Sequence, residues 1–386
     1  MQKIGIIKSS KYELFTAIHN NTDMHKTIMK AFGLFIMAIT MLTISGCKTK
    51  MSSDEILEHC GSGVVMILNQ YYYKVTLPQC KPWYFTTIDD NGEMQGITFD
   101  EKEAAKNPAM LTGTGFFISP DGKIITNRHV ASPTIDFNDA KVSVTNVLRS
   151  IRALIEQEMN QYSYQYDQLE IEKNECYTSD YDGNMYVDEN KMQQINDKEQ
   201  ELHELFEQGK EMIAQISNVD VSKVKLESVC KVSVAYNNST VKKLSDFKPC
   251  TVNAVSAKQD VDLALLQLKD KKTPDNAFVF DIDDSEDDQK METSEPLYMI
   301  GYNAGFAIAS TAQGIKAQIT RGEISQKSDT NKILYTIPAL PGSSGSPVIN
   351  SYGNLVAVNF AGMQNTQSFN YGIRMGRVKQ FVDSLK

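Results

Sequence analysis

The chain has 386 residues, 23% of them charged, and a net charge of −9 at pH 7. Its length allows a sizeable buried core. Its acidity excludes nucleic acid as a predicted partner, because a negative protein surface repels the phosphate backbone. Neither C-x-x-C nor H-E-x-x-H spacing occurs, so the sequence predicts no metal site and no other cofactor.

An apolar segment near the start of the chain indicates export. Two lysines precede the apolar run 31–44, which ends in I-S-G-C at Cys47. Residues 1–46 resemble a bacterial lipoprotein signal peptide, which is cleaved just ahead of a cysteine that carries the lipid. A transmembrane anchor is the alternative, but the run is shorter than the roughly 20 residues of a spanning helix. We therefore expect Cys47 and the tether 47–58 to anchor the chain to a membrane of the bacterial cell envelope, facing the periplasm or the surface.

Five further cysteines follow, in a chain expected to reach an oxidising compartment. Cys60 and Cys80 flank one hairpin-like segment, and Cys230 and Cys250 flank another. The sequence predicts disulfides within these two pairs and leaves Cys176 unpaired.

The first strand patterns after the tether lie at 64–68 and 71–77, which are rich in Val, Ile and Tyr. They predict a β-hairpin that turns at Asn69-Gln70. Residues 81–110 are polar and irregular, and they are predicted to form a surface loop.

One histidine directly follows a predicted hairpin. Strands at 113–118 and 123–126 flank a P-D-G turn, and N-R-H-V follows with His129. A histidine just past a buried strand end is well placed to act as a general base. Lone histidines are more often structural, but of the other two beyond the signal segment His59 lies beside the tether and His203 falls in a charged helical pattern.

Residues 146–219 contain no proline and carry 16 Asp and Glu against six Lys and Arg. Apolar residues recur at spacings of three and four, which predicts an antiparallel helical hairpin of coiled-coil type with arms about 40 Å long. Its turn, 178–189, resembles an EF-hand loop, but Thr178 stands where that family has its first aspartate. A solvated acidic turn is the favoured interpretation, and calcium binding is the alternative.

An aspartate opens the apolar run 263–266. A carboxylate in such a place is expected to be partly buried and to need a partner, which could be a lysine, a backbone amide or a histidine. A histidine partner would make it an orienting residue. Asp262 is preferred to Asp260 because it abuts the run.

The segment 341–347 reads P-G-S-S-G-S-P and lies between strand patterns at 332–337 and 348–349. A serine in a tight Gly-rich turn can expose its hydroxyl while nearby backbone N–H groups point into the same space. The pattern predicts Ser344 as a nucleophile, with the amides of Gly342 and Ser344 as oxyanion donors. The alternative is an ordinary turn between strands.

The remaining pattern is mostly strands and Gly-rich turns, with one short helix at the end, and favours an all-β barrel fold. The strands are predicted at 231–236, 252–255, 297–301, 315–325, 355–360 and 371–374, and the helix at 376–385. The candidates occur in the order His129, Asp262, Ser344, and no histidine follows His203. An α/β-hydrolase, which has its histidine last, is therefore excluded.

The three candidates lie in three motifs that follow one another along the chain: T-G-F-F-I-S-P-D-G-K-I-I-T-N-R-H-V, D-L-A-L-L and G-S-S-G-S-P. They resemble the His, Asp and Ser motifs of trypsin-like serine peptidases, nearest the HtrA type, over 110–142 and 229–382. The resemblance implies a mainly β fold of two packed six-stranded barrels, chymotrypsin-like, spanning 59–386 and interrupted by the helical hairpin. It implies a serine endopeptidase that cleaves a protein or peptide substrate through an acyl-enzyme.

The sequence also departs from the family's pattern. Ser343 stands where digestive relatives have an aspartate that pairs with a newly cut N-terminus, so that activation route is not expected. No PDZ domain is expected after residue 376. Catalytically silent binding through the helical hairpin is the alternative function, and self-association of the chain is left open.

The resemblance further implies that the primary pocket is walled by residues near the serine motif. These are Leu340, Asn359, Phe360, Ala361 and Gly362. None is acidic, so cleavage after Lys or Arg is disfavoured and a small or medium apolar residue is expected.

Overall fold

The computed structural model describes residues 49–78, 80–258, 260–286, 289–326, 331–362 and 369–385. The predicted signal peptide and Cys47 lie outside the described residues. Within the described ranges, no helix is both long enough and apolar enough to cross a membrane.

Strands dominate the described chain, and its two long helices are adjacent in sequence. The strands are β1 (Val64–Thr76), β2 (Trp83–Phe85), β3 (Thr87–Ile88), β4 (Met94–Gln95), β5 (Ala109–Phe117), β6 (Lys123–Thr126), β7 (Tyr177–Ser179), β8 (Met185–Val187), β9 (Lys225–Tyr236), β10 (Lys248–Val255), β11 (Ala264–Leu268), β12 (Pro296–Gly301), β13 (Ser310–Thr311), β14 (Gly314–Ile315), β15 (Gln318–Gln326), β16 (Lys332–Tyr335), β17 (Pro347–Asn350), β18 (Leu355–Gly362) and β19 (Asn370–Arg374). The helices are α1 (Ser53–Cys60), α2 (Glu101–Lys106), α3 (Arg128–Ala131), α4 (Phe137–Asn174), α5 (Glu189–Ser217), α6 (Phe306–Ala309) and α7 (Met375–Asp383), with 3-10 turns at Gly61–Gly63, Val221–Lys223 and Leu244–Asp246.

The first barrel is closed by six antiparallel strands in the order β1, β5, β6, β11, β10 and β9, because β9 pairs back onto β1. Successive side chains of β1 point to opposite faces. Val65 and Ile67 fill the interior of this barrel, where they join Phe117 and Leu266.

The second barrel closes in the order β12, β15, β16, β19, β18 and β17, since β17 pairs with β12. Its interior contains Met299, Tyr335 and Val348. A third apolar layer combines Met66 of the first barrel with Ile300 of the second, so the two barrels pack against each other. The predicted fold class, two six-stranded β-barrels with a helical segment, is confirmed.

The predicted hairpin at 64–68 and 71–77 is wrong, because β1 is one continuous strand. Asn69, the predicted turn residue, is fully buried in the middle of β1 and is paired on both sides, with Leu111 of β5 and Val232 of β9. Pairing with two long neighbours outweighs the weak local turn preference of Asn.

The prediction that 81–110 is an irregular loop is also wrong. The segment contains β2, β3, β4 and α2, and β5 begins at Ala109. Trp83, Tyr84 and Phe85 are buried, and β2 adds to the edge of β1. This aromatic triplet was the available sequence signal for a strand.

The helical hairpin consists of α4 and α5, and its first arm begins at Phe137 instead of 146. At 1.5 Å per residue the arms are about 57 Å and about 44 Å long. Lys173 and Glu199 form an ion pair between the arms. Gly209 allows a close approach, because a Cβ there would lie 2.8 Å from Cγ of Met159.

The tip of the hairpin is not an EF-hand loop, since β7 and β8 form a small β-hairpin there. Asp180 accepts hydrogen bonds from the backbone amides of Asp182 and Asn184 and from the side chains of Asn184 and Tyr186. These bonds, led by the Asn184 side chain, lower the pKa of Asp180 to about 2. Asp188 caps α5. Both carboxylates therefore bind groups of the hairpin itself.

The predicted disulfides are wrong, because all five described cysteines are unbridged. Cys60 packs in the layer between the barrels, whereas Cys80 packs beside the base of the helical hairpin. Burial raises the pKa of Cys60 and of Cys250 to about 12. These two thiols act as small apolar groups of the core.

Candidate active site

Strand register brings His129 and Asp262 to the same edge of the first barrel. Thr126 at the end of β6 pairs with Ala264 at the start of β11. His129 lies three residues beyond Thr126, and Asp262 lies two residues before Ala264. The antiparallel register therefore places the two segments side by side.

Two buried asparagines hold the short helix α3 that carries His129. Asn127 donates a side-chain hydrogen bond of 2.9 Å to the carbonyl oxygen of Asp262. Asn69 of β1 donates to the carbonyl oxygens of Val130 and Ala131, at 2.9 and 3.1 Å. Sequence reasoning assigned Asn69 to a turn and missed its role in fixing α3.

The carboxylate of Asp262 binds His129 at two points. His129 Nδ1 lies 2.5 Å from Oδ2 of Asp262, and the backbone N–H of His129 donates to Oδ1 at 3.0 Å. The Asp262 side chain is 16% exposed and that of His129 is 41% exposed. Because an ionised carboxylate only accepts hydrogen bonds, Nδ1 carries the proton and Nε2 is the basic nitrogen.

The surroundings of Asp262 favour its ionised form. Burial alone would raise the pKa of its carboxyl, but the hydrogen bonds and charge interaction with His129, together with the nearby charge of Arg128, hold that pKa below its ordinary value. Asp262 is therefore an anion at neutral pH and can stabilise a protonated imidazole.

We refer to residues 341–347 as the serine turn. The Ser343 amide donates to the carbonyl of Leu340 at 3.0 Å, with Pro341 and Gly342 between them and a φ of +100° at Gly342. These are the features of a type II turn, which requires a residue that tolerates positive φ.

Two amides of the serine turn point away from the protein's own acceptors. The amides of Ser343 and Gly345 are used, by Leu340 and Asn359. Within the described ranges, those of Gly342 and Ser344 donate to no acceptor. Ser344 is also partly exposed, so this part of the turn can offer two donors to a developing oxyanion.

Thr114 of β5 fastens the serine turn to the first barrel. It is fully buried. Its amide donates to the carbonyl of Ser344 at 2.8 Å, and its hydroxyl donates to the carbonyl of Gly342 at 2.8 Å while accepting from the amide of Tyr302 at 3.0 Å. Sequence reasoning missed this residue, although a threonine at a buried strand position was a usable signal.

The same threonine connects the serine turn to the histidine segment. Thr126, the last residue of β6, donates to the carbonyl of Thr114 at 2.7 Å. Gly345 lies so close that a Cβ there would be 2.4 Å from the Thr126 hydroxyl. The structure thus brings the segments of all three candidates together, although in the described chain Ser344 makes no hydrogen bond to His129. Such a bond often tightens only when substrate binds.

We expect Thr114→Val to lower the free energy of unfolding by about 1–3 kcal/mol, because it leaves the Gly342 carbonyl and the Tyr302 amide buried without their partner. Urea denaturation measures the loss. Thr251→Val, which removes a hydroxyl from the exposed face of β10, is the matched control and should change stability little. An equal loss of unfolding free energy in both variants would show that the Thr114 hydroxyl does not hold the serine turn.

The predicted pocket residues do not share one environment. Leu340 is half-buried, and its amide donates to Oδ1 of Asn303 at 3.0 Å. Phe360 is half-buried, with Nζ of Lys332 5.0 Å from its ring centroid. Ala361 and Gly362 belong to β18. The side chain of Asn359 is buried beneath the serine turn and bonded there, and the place of this residue in the pocket wall stays a prediction.

Two closed six-stranded barrels, with the candidate residues at the junction between them, define a chymotrypsin-like fold. Residues 190–358 match the model of the trypsin-like peptidase domain family. The match covers less than half of the chain. It includes Asp262 and Ser344 and begins after His129. No curated protein matches the chain. Fold and family match together support a trypsin-like serine peptidase.

Proposed function

We propose that the protein is a serine endopeptidase, of the HtrA type by its motifs, that hydrolyses peptide bonds in protein or peptide substrates. The supporting observation is the His129–Asp262 pair, bonded through both the ring and the backbone of His129, beside a turn with two unused amides. Ser344 is the proposed nucleophile, His129 the base and Asp262 the residue that orients it.

In the proposed reaction, Ser344 Oγ attacks the substrate carbonyl carbon while Nε2 of His129 takes the hydroxyl proton. The carbonyl oxygen becomes an oxyanion and accepts hydrogen bonds from the amides of Gly342 and Ser344. The tetrahedral intermediate then expels the amine, which takes the proton from His129. Water, activated by the same nitrogen, hydrolyses the remaining ester and restores Ser344.

Substrate preference is proposed for a small or medium apolar side chain. Leu340, which directly precedes the serine turn, and Phe360, which follows Asn359 on β18, are both half-buried and support this proposal, because apolar walls without an acid favour an apolar group over Lys or Arg. Peptide libraries that differ only at the residue before the scissile bond test the preference.

The location of the protein is proposed from the sequence alone. The motif ending at Cys47 supports a lipid anchor in the bacterial cell envelope. Self-association of the chain and binding of a partner to α4 and α5 are further proposals, and the length and acidity of this helical pair support a role outside the barrels.

The test uses the soluble chain from Lys48 onward and a fluorophosphonate probe, which forms a bond to activated serines. We expect labelling of the wild type and of Ser346→Ala, and none of Ser344→Ala. Ser346 is a matched control because it is a fully buried serine in the same turn. A folded wild type that does not react would contradict the proposal and favour the silent binding protein.

A further inference from the structure

Asn359 of β18 binds the serine turn from below. Its side chain is 2% exposed. Nδ2 donates to the carbonyl oxygen of Ser343 at 3.0 Å and lies 3.2 Å from its hydroxyl. The backbone of Asn359 adds two bonds to the turn, with Ser346 and Gly345, at 2.9 and 2.8 Å.

Tyr335 of β16 fixes the orientation of the Asn359 amide. Its hydroxyl lies 2.9 Å from Oδ1 of Asn359. Tyr335 is fully buried, and burial raises its pKa well above the ordinary value, so the phenol stays protonated and can donate. A donor at Oδ1 turns Nδ2 toward Ser343.

The Ser343 carbonyl accepts from Nδ2 of Asn359 and from the backbone amide of Ser346, the latter at 3.1 Å, and these two bonds fix the direction of the next amide. The carbonyl of Ser343 and the N–H of Ser344 belong to one planar trans peptide and point to opposite sides. Holding the carbonyl against Asn359 therefore aims the Ser344 N–H away from the protein interior. This N–H is one of the two unused donors described above.

The Ser343 side chain is held by uncharged groups only. Its hydroxyl donates to the carbonyl of Leu340 at 2.7 Å and lies beside Nδ2 of Asn359. The serine turn is thus held at Ser343 by neutral hydrogen bonds. Because Ser343 carries no charge, it needs no cationic partner such as a newly cut N-terminus.

We propose that Asn359, oriented by Tyr335, is a positioning residue that keeps the Ser344 amide aimed at the oxyanion. This inference rests on the proposed peptidase function. It adds that β16 and β18 of the second barrel, together with Thr114 of the first, hold the oxyanion site without cleavage of the chain. Because the residue acts on a donor that matters most in the transition state, its loss lowers kcat and leaves KM nearly unchanged.

The test compares Asn359→Leu and Tyr335→Phe with two controls, Asn253→Leu and Tyr352→Phe, which change partly or fully exposed residues on β10 and beyond β17. We expect kcat per labelled active site to fall roughly 10- to 100-fold in Asn359→Leu and less in Tyr335→Phe, which removes only the hydroxyl. KM should stay within about twofold, and both controls should match the wild type. Urea denaturation gives the folded fraction in each case.

A second measurement does not depend on activity. Hydrogen exchange of the peptide covering 338–346 should be faster in Asn359→Leu than in wild type, in step with the fall in kcat. A lower stability with unchanged kcat per active site would overturn the inference and leave Asn359 a structural residue. A wild type without peptidase activity would reject the proposed function. Separately, a rate of hydrogen exchange in Asn359→Leu equal to that of wild type would show that Asn359 does not hold the serine turn.

Discussion

Asp262→Asn is expected to lower kcat about 10⁴-fold while the protein remains folded. Asparagine keeps the size of the side chain but replaces one acceptor oxygen by an N–H donor. The imidazole of His129 then faces a donor where Nδ1 had an acceptor, so the other tautomer is favoured and Nε2 no longer accepts the serine proton. The loss of the negative charge also removes the stabilisation of a protonated imidazole.

Steady-state hydrolysis of a peptide substrate measures this loss. Asp260→Asn is the matched control, because Asp260 lies two residues away, is exposed and bonds to the side chain of Asn331 at 2.7 Å. We expect this control to retain the wild-type kcat. Comparable activity of the two variants would show that Asp262 does not orient the base.

The same variant has a predicted pH signature in stability. The pKa of Asp262 is lower in the folded protein than its ordinary value. A carboxyl of this kind stabilises the fold above its unfolded-state pKa, and the contribution is lost as the pH falls through the lower folded-state pKa. The difference in unfolding free energy between wild type and Asp262→Asn should therefore be largest near neutral pH and shrink below about pH 4.

Gly342→Ala is expected to lower kcat about 10²- to 10³-fold, the range for loss of one oxyanion donor. Gly342 has a φ of +100°, and a Cβ there would lie 2.3 Å from the carbonyl oxygen of Tyr302 and 2.8 Å from the amide of Gly305. Both obstacles are backbone atoms, so the turn itself must move. The movement displaces the Gly342 and Ser344 amides.

Gly183→Ala separates this displacement from simple backbone strain. Gly183 has a φ of +85° and lies at the tip of the helical hairpin, where an added Cβ would meet no atom within 4 Å. The Gly183→Ala variant should lose up to about 1–2 kcal/mol of local stability at the hairpin tip, with no change in kcat. Kinetics on both variants, normalised to the labelled fraction, measure the difference. Wild-type kcat in Gly342→Ala would contradict the oxyanion assignment.

The candidate site was largely accessible from sequence because its residues lie in local motifs. His129 directly follows a predicted strand, Asp262 opens an apolar run, and Ser344 lies in a Gly-rich turn. Each pattern reflects short-range chemistry, namely turn preference and burial of an apolar strand. The order His129, Asp262, Ser344 along the chain then excluded an α/β-hydrolase, which has its histidine last.

The residues that hold this site were not accessible in the same way. Asn69, Thr114 and Asn359 are polar residues inside strands, and their side chains bind partners in other segments, from 16 residues away for Asn359 to 228 for Thr114. From the local sequence, Asn69 was predicted to lie in a turn and Asn359 to line a pocket. Only the pairing of β1 with two strands, and of β18 with the serine turn, shows which backbone groups these side chains satisfy.

The sequence by itself determined the barrel class, the helical hairpin and the candidate residues His129, Asp262 and Ser344, because alternation, helical periodicity and turn chemistry are properties of neighbouring residues. The tertiary structure alone decided the continuity of β1, the unbridged cysteines and the hold of Thr114 and Asn359 on the serine turn. These depend on strand register and on buried hydrogen bonds between distant segments, which the folded barrels establish.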